Sequence, residues 1–291
     1  MMTPKISGAT QVVGLFGHPV SHTLSPAMHN AAFASLNLPY VYLPFAVETA
    51  RLAEAVRGIR GLNLRGVNVT IPHKERVMAY LDRVTPEAEL IGAVNTIVND
   101  QGVLTGHNTD GAGFVKSLEE QGATGLQNRR VLILGAGGAA RSVAVSLALG
   151  GAGRIVIAGR TMDKAREITT VISEKICDKC ASVLDIKSDR LPGELAEADI
   201  IINTTPLGMY PHHEIPPFVD LSVCHPGALI CDLVYNPKET SLLKAARQRR
   251  LETLSGIGML IWQGVLAFQL WTGQKPPVEL MRHTVEKHFI K

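Results

Sequence analysis

The stretch Arg130-Val131-Leu132-Ile133-Leu134-Gly135-Ala136-Gly137-Gly138-Ala139-Ala140 determines the fold class of this chain. An apolar strand runs directly into a glycine turn, and the residues from Arg141 to Leu149 then have the pattern of a helix. A second apolar strand, Arg154-Ile155-Val156-Ile157-Ala158, comes next. Strand, glycine turn, helix and strand in this order predict a βαβ unit within a parallel sheet.

The glycine turn matches the dinucleotide-binding fingerprint Gly135-x-Gly137-x-x-Ala140, with Ala in an allowed last position. The first glycine permits the tight turn, and the second lets a pyrophosphate approach the backbone. The helix N-terminus adds free amides and a partial positive charge. We therefore predict a Rossmann-type, doubly wound parallel sheet whose phosphate-binding residues are Gly135, Ala136, Gly137, Gly138 and Ala139. The alternative is a tight turn that binds nothing, since glycine turns between strand and helix are common.

The end of the second strand indicates which nicotinamide cofactor this domain binds. An NAD site usually places Asp or Glu there, to accept a hydrogen bond from the ribose hydroxyl. This chain has Gly159-Arg160-Thr161 instead, and its first acid beyond the strand is Asp163. Arg160 and Thr161 can bind a 2′-phosphate, and Lys164 adds positive charge one turn later. The sequence predicts NADP; the alternative is that Arg160 is a solvated surface residue.

The first 110 residues also alternate between strands and helices, which predicts a second α/β domain. The strict alternation of Val67-Asn68-Val69-Thr70-Ile71 places Asn68 and Thr70 on one face of a strand. Two further strands are predicted at 12–16 and 40–43. Three helices are predicted as well: the first is capped by Ser25 and has Pro26 in its first turn, the second spans 50–59, and the third begins at Pro72.

Two apolar helices near the end of the chain, around 259–271 and 277–289, fall outside the βαβ rhythm. We assign them to the first domain. The predicted fold is therefore α/β, with an N-terminal domain of residues 1–110 completed by 257–291 and a cofactor domain of residues 111–256. A chain of 291 residues is long enough for about two domains of ordinary size.

Composition excludes several classes of protein. The formal net charge is +3, and no basic stripe or sequence-reading motif indicates nucleic acid or a membrane surface as a partner. Hydrophobic residues are 46% and charged residues 19%, which is typical of a globular core and not of disorder. The most apolar stretch is too short to cross a bilayer and no signal peptide is apparent. We expect a soluble, reduced, cytoplasmic protein.

Cysteine and histidine patterns predict no metal site. Cys177-Asp178-Lys179-Cys180 lacks the second close pair that a zinc site needs, and it is not at the first βα turn where a thioredoxin-like motif would lie. His212 and His213 stand in a Pro-rich loop with no further ligand in view. Four cysteines in a chain of this length do not form a disulfide scaffold.

Polar motifs are dense at the strand ends of the first domain: Ser21-His22-Thr23-Leu24-Ser25-Pro26, Asn68-Val69-Thr70-Ile71-Pro72-His73-Lys74, Gly92-Ala93-Val94-Asn95-Thr96 and Asn108-Thr109-Asp110-Gly111. Together with the glycine fingerprint and Gly258-Met259-Leu260-Ile261-Trp262-Gln263, they closely resemble the shikimate dehydrogenase family. The resemblance runs from Gly14 to Trp271. It implies a two-domain enzyme that reduces 3-dehydroshikimate to shikimate with NADPH, on the route to chorismate and the aromatic amino acids.

Lys74 and Asp110 are the candidate catalytic residues. Lys74 is predicted in the first turn of a helix, where the helix dipole disfavours an ammonium and suits the amine to general acid and base work. A surface lysine is the alternative. The resemblance assigns Asp110 an essential, substrate-binding role, whereas its position before Gly111 also fits an N-cap alone. Which of the two side chains carries the proton stays open.

The remaining site residues follow from the resemblance and from the shape of a small hydroxylated carboxylate. Thr23 and Ser25 are expected to bind the carboxylate beside a helix N-terminus, and the other substrate contacts are Asn68, Thr70, Asn95, Tyr235 and Gln263. Gly256, Met259 and Thr204 are expected at the cofactor. Two departures from the family pattern are Thr23, where Ser is usual, and Gly159, where Asn is common.

Three rival interpretations remain. A broader quinate/shikimate dehydrogenase would accept quinate and NAD. A non-catalytic relative that senses ligand should have lost Lys74 or Asp110, and both are present. A structural or nucleic-acid-binding protein would need a basic stripe, which is missing. We expect the active site in the cleft between the domains, small molecules as the only ligands, and a monomer or homodimer.

Overall fold

The computed structural model describes residues 6–123 and 125–289. The chain forms two compact units, the first within Met1–Thr109 and Gln263–Lys291 and the second comprising Asp110–Trp262. Asp110 and residues 257–262 were expected in the first domain, but they group with the cofactor domain. Asp110 is the first residue of the helix Asp110–Glu120, and the helix Gly256–Thr272 runs without a break past the other expected boundary.

Twelve strands and ten α-helices are assigned within the described residues. The strands are β1 Gln11–Gly17, β2 Tyr40–Ala46, β3 Gly66–Val69, β4 Arg83–Val84, β5 Thr96–Asp100, β6 Val103–His107, β7 Arg130–Leu134, β8 Arg154–Gly159, β9 Ala181–Asp185, β10 Ile200–Asn203, β11 Leu229–Asp232 and β12 Glu252–Ser255. The helices are α1 Ser25–Ser35, α2 Leu52–Gly61, α3 Pro86–Ile91, α4 Asp110–Glu120, α5 Gly138–Leu149, α6 Met162–Lys175, α7 Leu191–Glu197, α8 Ser241–Gln248, α9 Gly256–Thr272 and α10 Val278–Glu286.

The first unit contains a mixed sheet in the order β2-β1-β3-β5-β6-β4. β1 pairs in parallel with β2 and β3, whereas β5 is antiparallel to both β3 and β6. The β5–β6 hairpin turns through Gln101 and Gly102, which both have positive φ, as a type I′ turn requires. The predicted strands at 12–16, 40–43 and 67–71 lie in β1, β2 and β3, although β3 itself ends at Val69.

All four residues of β3 are buried, but its two faces pack against different kinds of partner. Val67 and Val69 pack into an apolar cluster with Phe16, Ile97 and Leu104. The face that carries Asn68 is buried as well, but against polar partners, so both faces of this strand are covered. The first unit thus has an apolar core on one side of β3 and a buried polar cluster on the other.

Two local predictions in the first unit are wrong. No α-helix begins at Pro72: the chain turns through His73 and Lys74, and a short 3-10 helix starts only at Arg76. The carbonyl of Lys74 accepts from Val94 N at 2.8 Å, a bond to a neighbouring segment in place of a helical one. Ser25 is the first residue of α1 and not its cap: the N-cap is Leu24, which has no side chain able to accept, and the N–H of Ser25 donates to Thr23 Oγ1 at 3.3 Å.

The second unit is a doubly wound parallel sheet in the order β12-β11-β10-β7-β8-β9. All five pairings within it are parallel. The strand order reverses at β7, which has β8 on one side and β10 on the other. In open α/β sheets a ligand binds outside the carboxyl ends of the strands at such a switch point, so the fold places the glycine turn after β7 where a dinucleotide would bind.

The structure joins Cys177 and Cys180 by a disulfide, contrary to the expected reduced thiols. Lys179 between them has φ 56°, and this left-handed turn brings the two Cα atoms to 5.8 Å, within the range that a disulfide spans. Within residues 6–123 and 125–289, no helix is long and apolar enough to cross a membrane. The same residues contain no group of three or more His, Cys, Asp or Glu side chains arranged to hold a metal ion.

Candidate functional site

The glycine turn after β7 is shaped by close packing on one side and open space on the other. Gly135 has φ +117°, and a Cβ there would lie 2.4 Å from Thr204 Oγ1. A Cβ at Gly137 or Gly138 would meet nothing within 4 Å. Ala140 is fully buried, as expected for the position where the helix packs on the sheet. The turn therefore offers bare backbone and the N-terminus of α5 to an anion, which fits a pyrophosphate.

Thr204 lies beside this turn. Its N–H and its hydroxyl both donate to the carbonyl of Leu134, at 2.9 and 2.8 Å. The preceding Asn203 accepts with Oδ1 from the backbone N–H and the hydroxyl of Thr205. These bonds hold the segment that follows β10 against the end of β7, next to the open face of the glycine turn.

The buried carboxylate of Asp232 supports the same segment through hydrogen bonds, a role that the sequence did not predict. Its carboxylate is 1% exposed and accepts from Asn203 Nδ2 at 2.8 Å, Val234 N at 3.0 Å and Thr240 Oγ1 at 2.6 Å. Burial raises the pKa of Asp232, and these three donors act in the opposite direction. The signal in the sequence is an acid at the end of the apolar strand Leu229–Asp232.

The end of β8 carries the residues predicted to distinguish NADP from NAD. Arg160, Thr161 and Lys164 are exposed, and Thr161 starts α6 without a capping bond from its side chain. Neither Arg160 nor Lys164 has an ion-pair partner in the part of the chain that the structure describes, whereas Asp163 pairs with Arg166 at 2.7 Å. This corner therefore presents unneutralised positive charge, and its nearest acid along the chain is already paired.

Gly159 is buried at the last position of β8. A Cβ there would lie 3.3 Å from the Cβ of Ala136 in the glycine turn, which is tighter than most real contacts. The absence of a side chain at Gly159 therefore lets β8 lie close to the phosphate-binding turn.

In the first unit, hydrogen bonds join polar residues on β3, at the start of β5 and just after β6. Asn68 is 5% exposed; its Nδ2 donates to Asn95 O at 3.2 Å and to Thr96 Oγ1 at 3.0 Å. Asn95 accepts from Thr109 N at 2.7 Å and donates to Thr109 Oγ1 at 2.9 Å. These bonds fix the residue that immediately precedes Asp110 in the chain.

Three other residues of the first unit, Ser25, Thr70 and Lys74, were predicted at the site, and they differ in burial and in hydrogen bonding. Ser25 is 8% exposed, and Thr23 accepts from its N–H as described above. Thr70 follows β3 and donates its N–H to Phe16 O at 2.9 Å. Lys74 is half-buried in the turn after Thr70. Because no helix begins there, the dipole argument for Lys74 fails. Its candidacy rests on the main-chain bond that ties it to Val94, the residue before Asn95.

The remaining predicted residues, with the exception of Gln263, lie in the second unit. Asp110 is 7% exposed and begins α4. The next residue, Gly111, allows α4 to pack closely on α5, since a Cβ there would lie 2.2 Å from Ser146 Oγ. Tyr235 follows β11, and burial raises the pKa of its phenol. Gly256 and Met259 lie in the first turn of α9, while Gln263 further along the same helix belongs to the first unit.

A doubly wound parallel sheet with an open glycine turn at its switch point, joined to a domain with a polar cluster, defines an α/β dehydrogenase of the dinucleotide-binding class. Family models match the chain as the shikimate dehydrogenase substrate binding domain over residues 15–97, as shikimate / quinate 5-dehydrogenase over 117–209 and as the shikimate 5'-dehydrogenase C-terminal domain over 256–286. The chain belongs to the shikimate dehydrogenase family.

Individual relatives match over nearly the full length. A shikimate dehydrogenase (NADP(+)) from Desulforamulus reducens is 48% identical over 99% of this chain and 98% of its own. A crystal structure of a shikimate dehydrogenase in complex with NADP+ covers 100% of both chains at 42% identity, with a TM-score of 0.94. Shikimate 5-dehydrogenase from Listeria monocytogenes, in complex with shikimate and NAD, covers 97% of this chain and 99% of that one at 41% identity, with a TM-score of 0.92.

Proposed function

We propose that this chain catalyses the reversible reduction of 3-dehydroshikimate to shikimate with NADPH, a step on the route to chorismate and the aromatic amino acids. The observation that carries the proposal is the buried polar cluster of Asn68, Asn95 and Thr109. The main chain of Lys74 is bonded to Val94, the residue before Asn95, and Asp110 directly follows Thr109. Within the shikimate dehydrogenase family, such a cluster suits a ring that bears several hydroxyls.

The cofactor site belongs to the second unit. The open backbone of Gly137 and Gly138 would hold the pyrophosphate, and Arg160, Thr161 and Lys164 would hold the 2′-phosphate. NADPH supplies the hydride when it is bound. Thr204 and Met259 are proposed to line the nicotinamide, with Gly256 beside them.

As hydride adds to the ring carbonyl, negative charge develops on the carbonyl oxygen. The protein must supply a proton to this oxygen. Lys74 and Asp110 are proposed to meet this requirement. An amine can donate the proton, and a carboxylate can accept a bond from a substrate hydroxyl and orient the amine. Asp110 is held at the start of α4, and Thr109 before it is fixed by Asn95, so the carboxylate has little freedom.

The other substrate contacts are proposed from the same arrangement. Thr23 and Ser25 are at the N-terminus of α1, where free amides and the dipole favour the carboxylate of shikimate. Asn68, Thr70, Asn95, Tyr235 and Gln263 would bind ring hydroxyls or that carboxylate. The proposal includes a cytoplasmic location and a monomeric or homodimeric state, which fractionation and sedimentation would test.

A spectrophotometric matrix tests the proposal: shikimate and quinate, each with NADP+ and with NAD+, followed at 340 nm. We expect shikimate with NADP+ to have by far the highest kcat/KM. Comparable rates with quinate or with NAD+ would instead favour a quinate/shikimate dehydrogenase, an alternative for which the missing side chain at Gly159 provides a specific reason. If neither substrate were oxidised with either cofactor, both the shikimate dehydrogenase activity and the quinate/shikimate alternative would be refuted.

A further inference from the structure

Tyr42 lies directly behind the proposed substrate cluster and is fully buried on β2. Its hydroxyl donates to Asn68 Oδ1 at 2.8 Å. Burial raises the pKa of the Tyr42 phenol, with a smaller opposite effect from the neighbouring side chain of Ser25, so the hydroxyl keeps its proton. Tyr42 thus adjoins two residues that are proposed to bind substrate, and it has no exposed surface of its own with which to do so.

The hydrogen bonds around Asn68 determine which way its amide faces. A backbone carbonyl can only accept, so the bond to Asn95 O requires the NH2 group of Asn68 on that side. The second amide hydrogen is used by Thr96 Oγ1, whose own proton goes to Asn95 Oδ1. Both donors of Asn68 are therefore occupied. Its Oδ1 must face Tyr42, and one acceptor position on that oxygen remains.

Tyr42 is itself held firmly. Its backbone N–H and carbonyl bond to the side chain of Asn30 on α1, at 2.8 and 3.0 Å, although β2 is an edge strand. The ring of His29 stacks on the Tyr42 ring, with centroids 4.6 Å apart and planes within 1°. Trp271 packs at 6.0 Å from the same ring. The phenol hydroxyl is thereby fixed in the position from which it reaches Asn68.

We propose that Tyr42 is a positioning residue that orients Asn68 to accept a hydrogen bond from a hydroxyl of the substrate. The proposal rests on the proposed function, in which Asn68 contacts the substrate ring. With its amide held this way, Asn68 presents a lone pair and no N–H, so it selects a hydroxyl over a keto oxygen at that ring position. Without the phenol proton, Asn68 Oδ1 loses its fixed donor, and only the two bonds from Nδ2 to Asn95 O and Thr96 Oγ1 hold the amide, so its orientation is fixed less firmly.

The test is Tyr42→Phe, which removes only the hydroxyl. We expect the KM for shikimate to rise about fivefold to tenfold, as for loss of one buried hydrogen bond, with kcat and the KM for NADP+ within about twofold of wild type. Tyr40→Phe is the matched control: Tyr40 is on the same strand, and its hydroxyl bonds to Trp271 O at 3.4 Å, away from Asn68. This control should leave all three constants unchanged.

A double-mutant cycle separates positioning from general loosening of the fold. If Tyr42 acts through Asn68, then Tyr42→Phe has no further effect in an Asn68→Ala background. Additive effects of the two substitutions, or an unchanged shikimate KM in Tyr42→Phe, would overturn the proposal. Thermal melting of each variant shows whether a change in KM accompanies a change in stability.

If wild-type enzyme oxidised neither shikimate nor quinate, the proposed function would fail, and the orientation of Asn68 would still be measurable. The side-chain 1H–15N signals of Asn68, assigned by their loss in Asn68→Ala, report whether its NH2 group is held and protected from solvent exchange. We expect faster exchange in Tyr42→Phe than in wild type and in Tyr40→Phe. Equal exchange in all three would remove Tyr42 from its positioning role.

Discussion

Asn203 donates from Nδ2 to the carboxylate of Asp232 at 2.8 Å, which links the carboxyl ends of the neighbouring strands β10 and β11. Asp232 also binds Val234 N and the hydroxyl of Thr240. Because Asn203 in turn holds Thr205, the buried carboxylate fixes the segment that packs on the glycine turn. The fully buried carboxylate of Asp232 thus supports the proposed cofactor site.

Asp232→Ala should therefore weaken both folding and cofactor binding. It leaves three buried donors without their acceptor, and we expect a loss of about 3 kcal/mol in the free energy of unfolding. The Kd for NADP+ should also rise, since Thr204 loses its support. Asp232→Asn keeps an acceptor oxygen for Asn203 and Val234, so it should be less destabilising in urea unfolding. Equal losses in the two variants would show that the hydrogen bonds are not the cause.

Long-range pairs of this kind could not be predicted from the sequence. Asn203 and Asp232 are 29 residues apart, and only the register of β10 against β11 brings them together. The βαβ unit was predictable because its apolar strands and glycine turn are local signals, and the doubly wound sheet confirms it. The expected helix after Pro72 failed because a distant residue, Val94, takes the carbonyl of Lys74.

Lys74→Met tests the proposed proton transfer. The substitution removes the amine and keeps most of the length of the side chain, so we expect kcat to fall about 10²- to 10⁴-fold, the usual contribution of a general acid. The Kd for NADP+ should stay near wild type. Lys116→Met is the control, because Lys116 is an exposed lysine paired with Glu119 on α4. Wild-type turnover by Lys74→Met would take this residue out of the mechanism.

Asp110→Asn addresses which of the two groups carries the proton. An amide still accepts one bond from a substrate hydroxyl but does not titrate. If Asp110 only orients, we expect the pH profile of kcat to keep its shape while kcat falls. Loss of one limb of the profile would instead assign the proton to the carboxylate.

Arg160→Ala tests the proposed 2′-phosphate contact. A charge-assisted bond to phosphate contributes about 1.5–3 kcal/mol, so the Kd for NADP+ should rise about 10- to 100-fold. The Kd for NAD+ should change little, because NAD+ has no phosphate at that position. Lys175→Ala removes an exposed positive charge from the last turn of α6, far along the helix from Arg160, and it should leave both constants unchanged. Titration calorimetry of the two cofactors would make the comparison, and equal losses for both would contradict the assignment.

His29 makes the first unit sensitive to acid. The ring is fully buried, neither nitrogen has a hydrogen-bond partner among the described residues, and burial lowers the pKa of His29 to about 3. An unfolded histidine takes up a proton near pH 6.5, so below that pH the unfolded state binds a proton that the folded state excludes. The protonation of His29 should therefore not reduce the free energy of unfolding above pH 6.5. Below pH 6.5 it should lower that free energy by about 1.4 kcal/mol per pH unit, down to about pH 3.

His29→Leu isolates that contribution, since leucine is close to histidine in volume and does not titrate. The difference in unfolding free energy between wild type and variant, measured in urea at half-unit steps from pH 7.5 to 4.5, should be constant above pH 6.5 and shift in favour of the variant below it. His212→Leu removes an exposed ring and should keep the wild-type slope. A difference that does not vary with pH would mean that His29 accepts its proton in the folded protein as readily as in the unfolded chain, and that burial against Tyr42 does not exclude the charge.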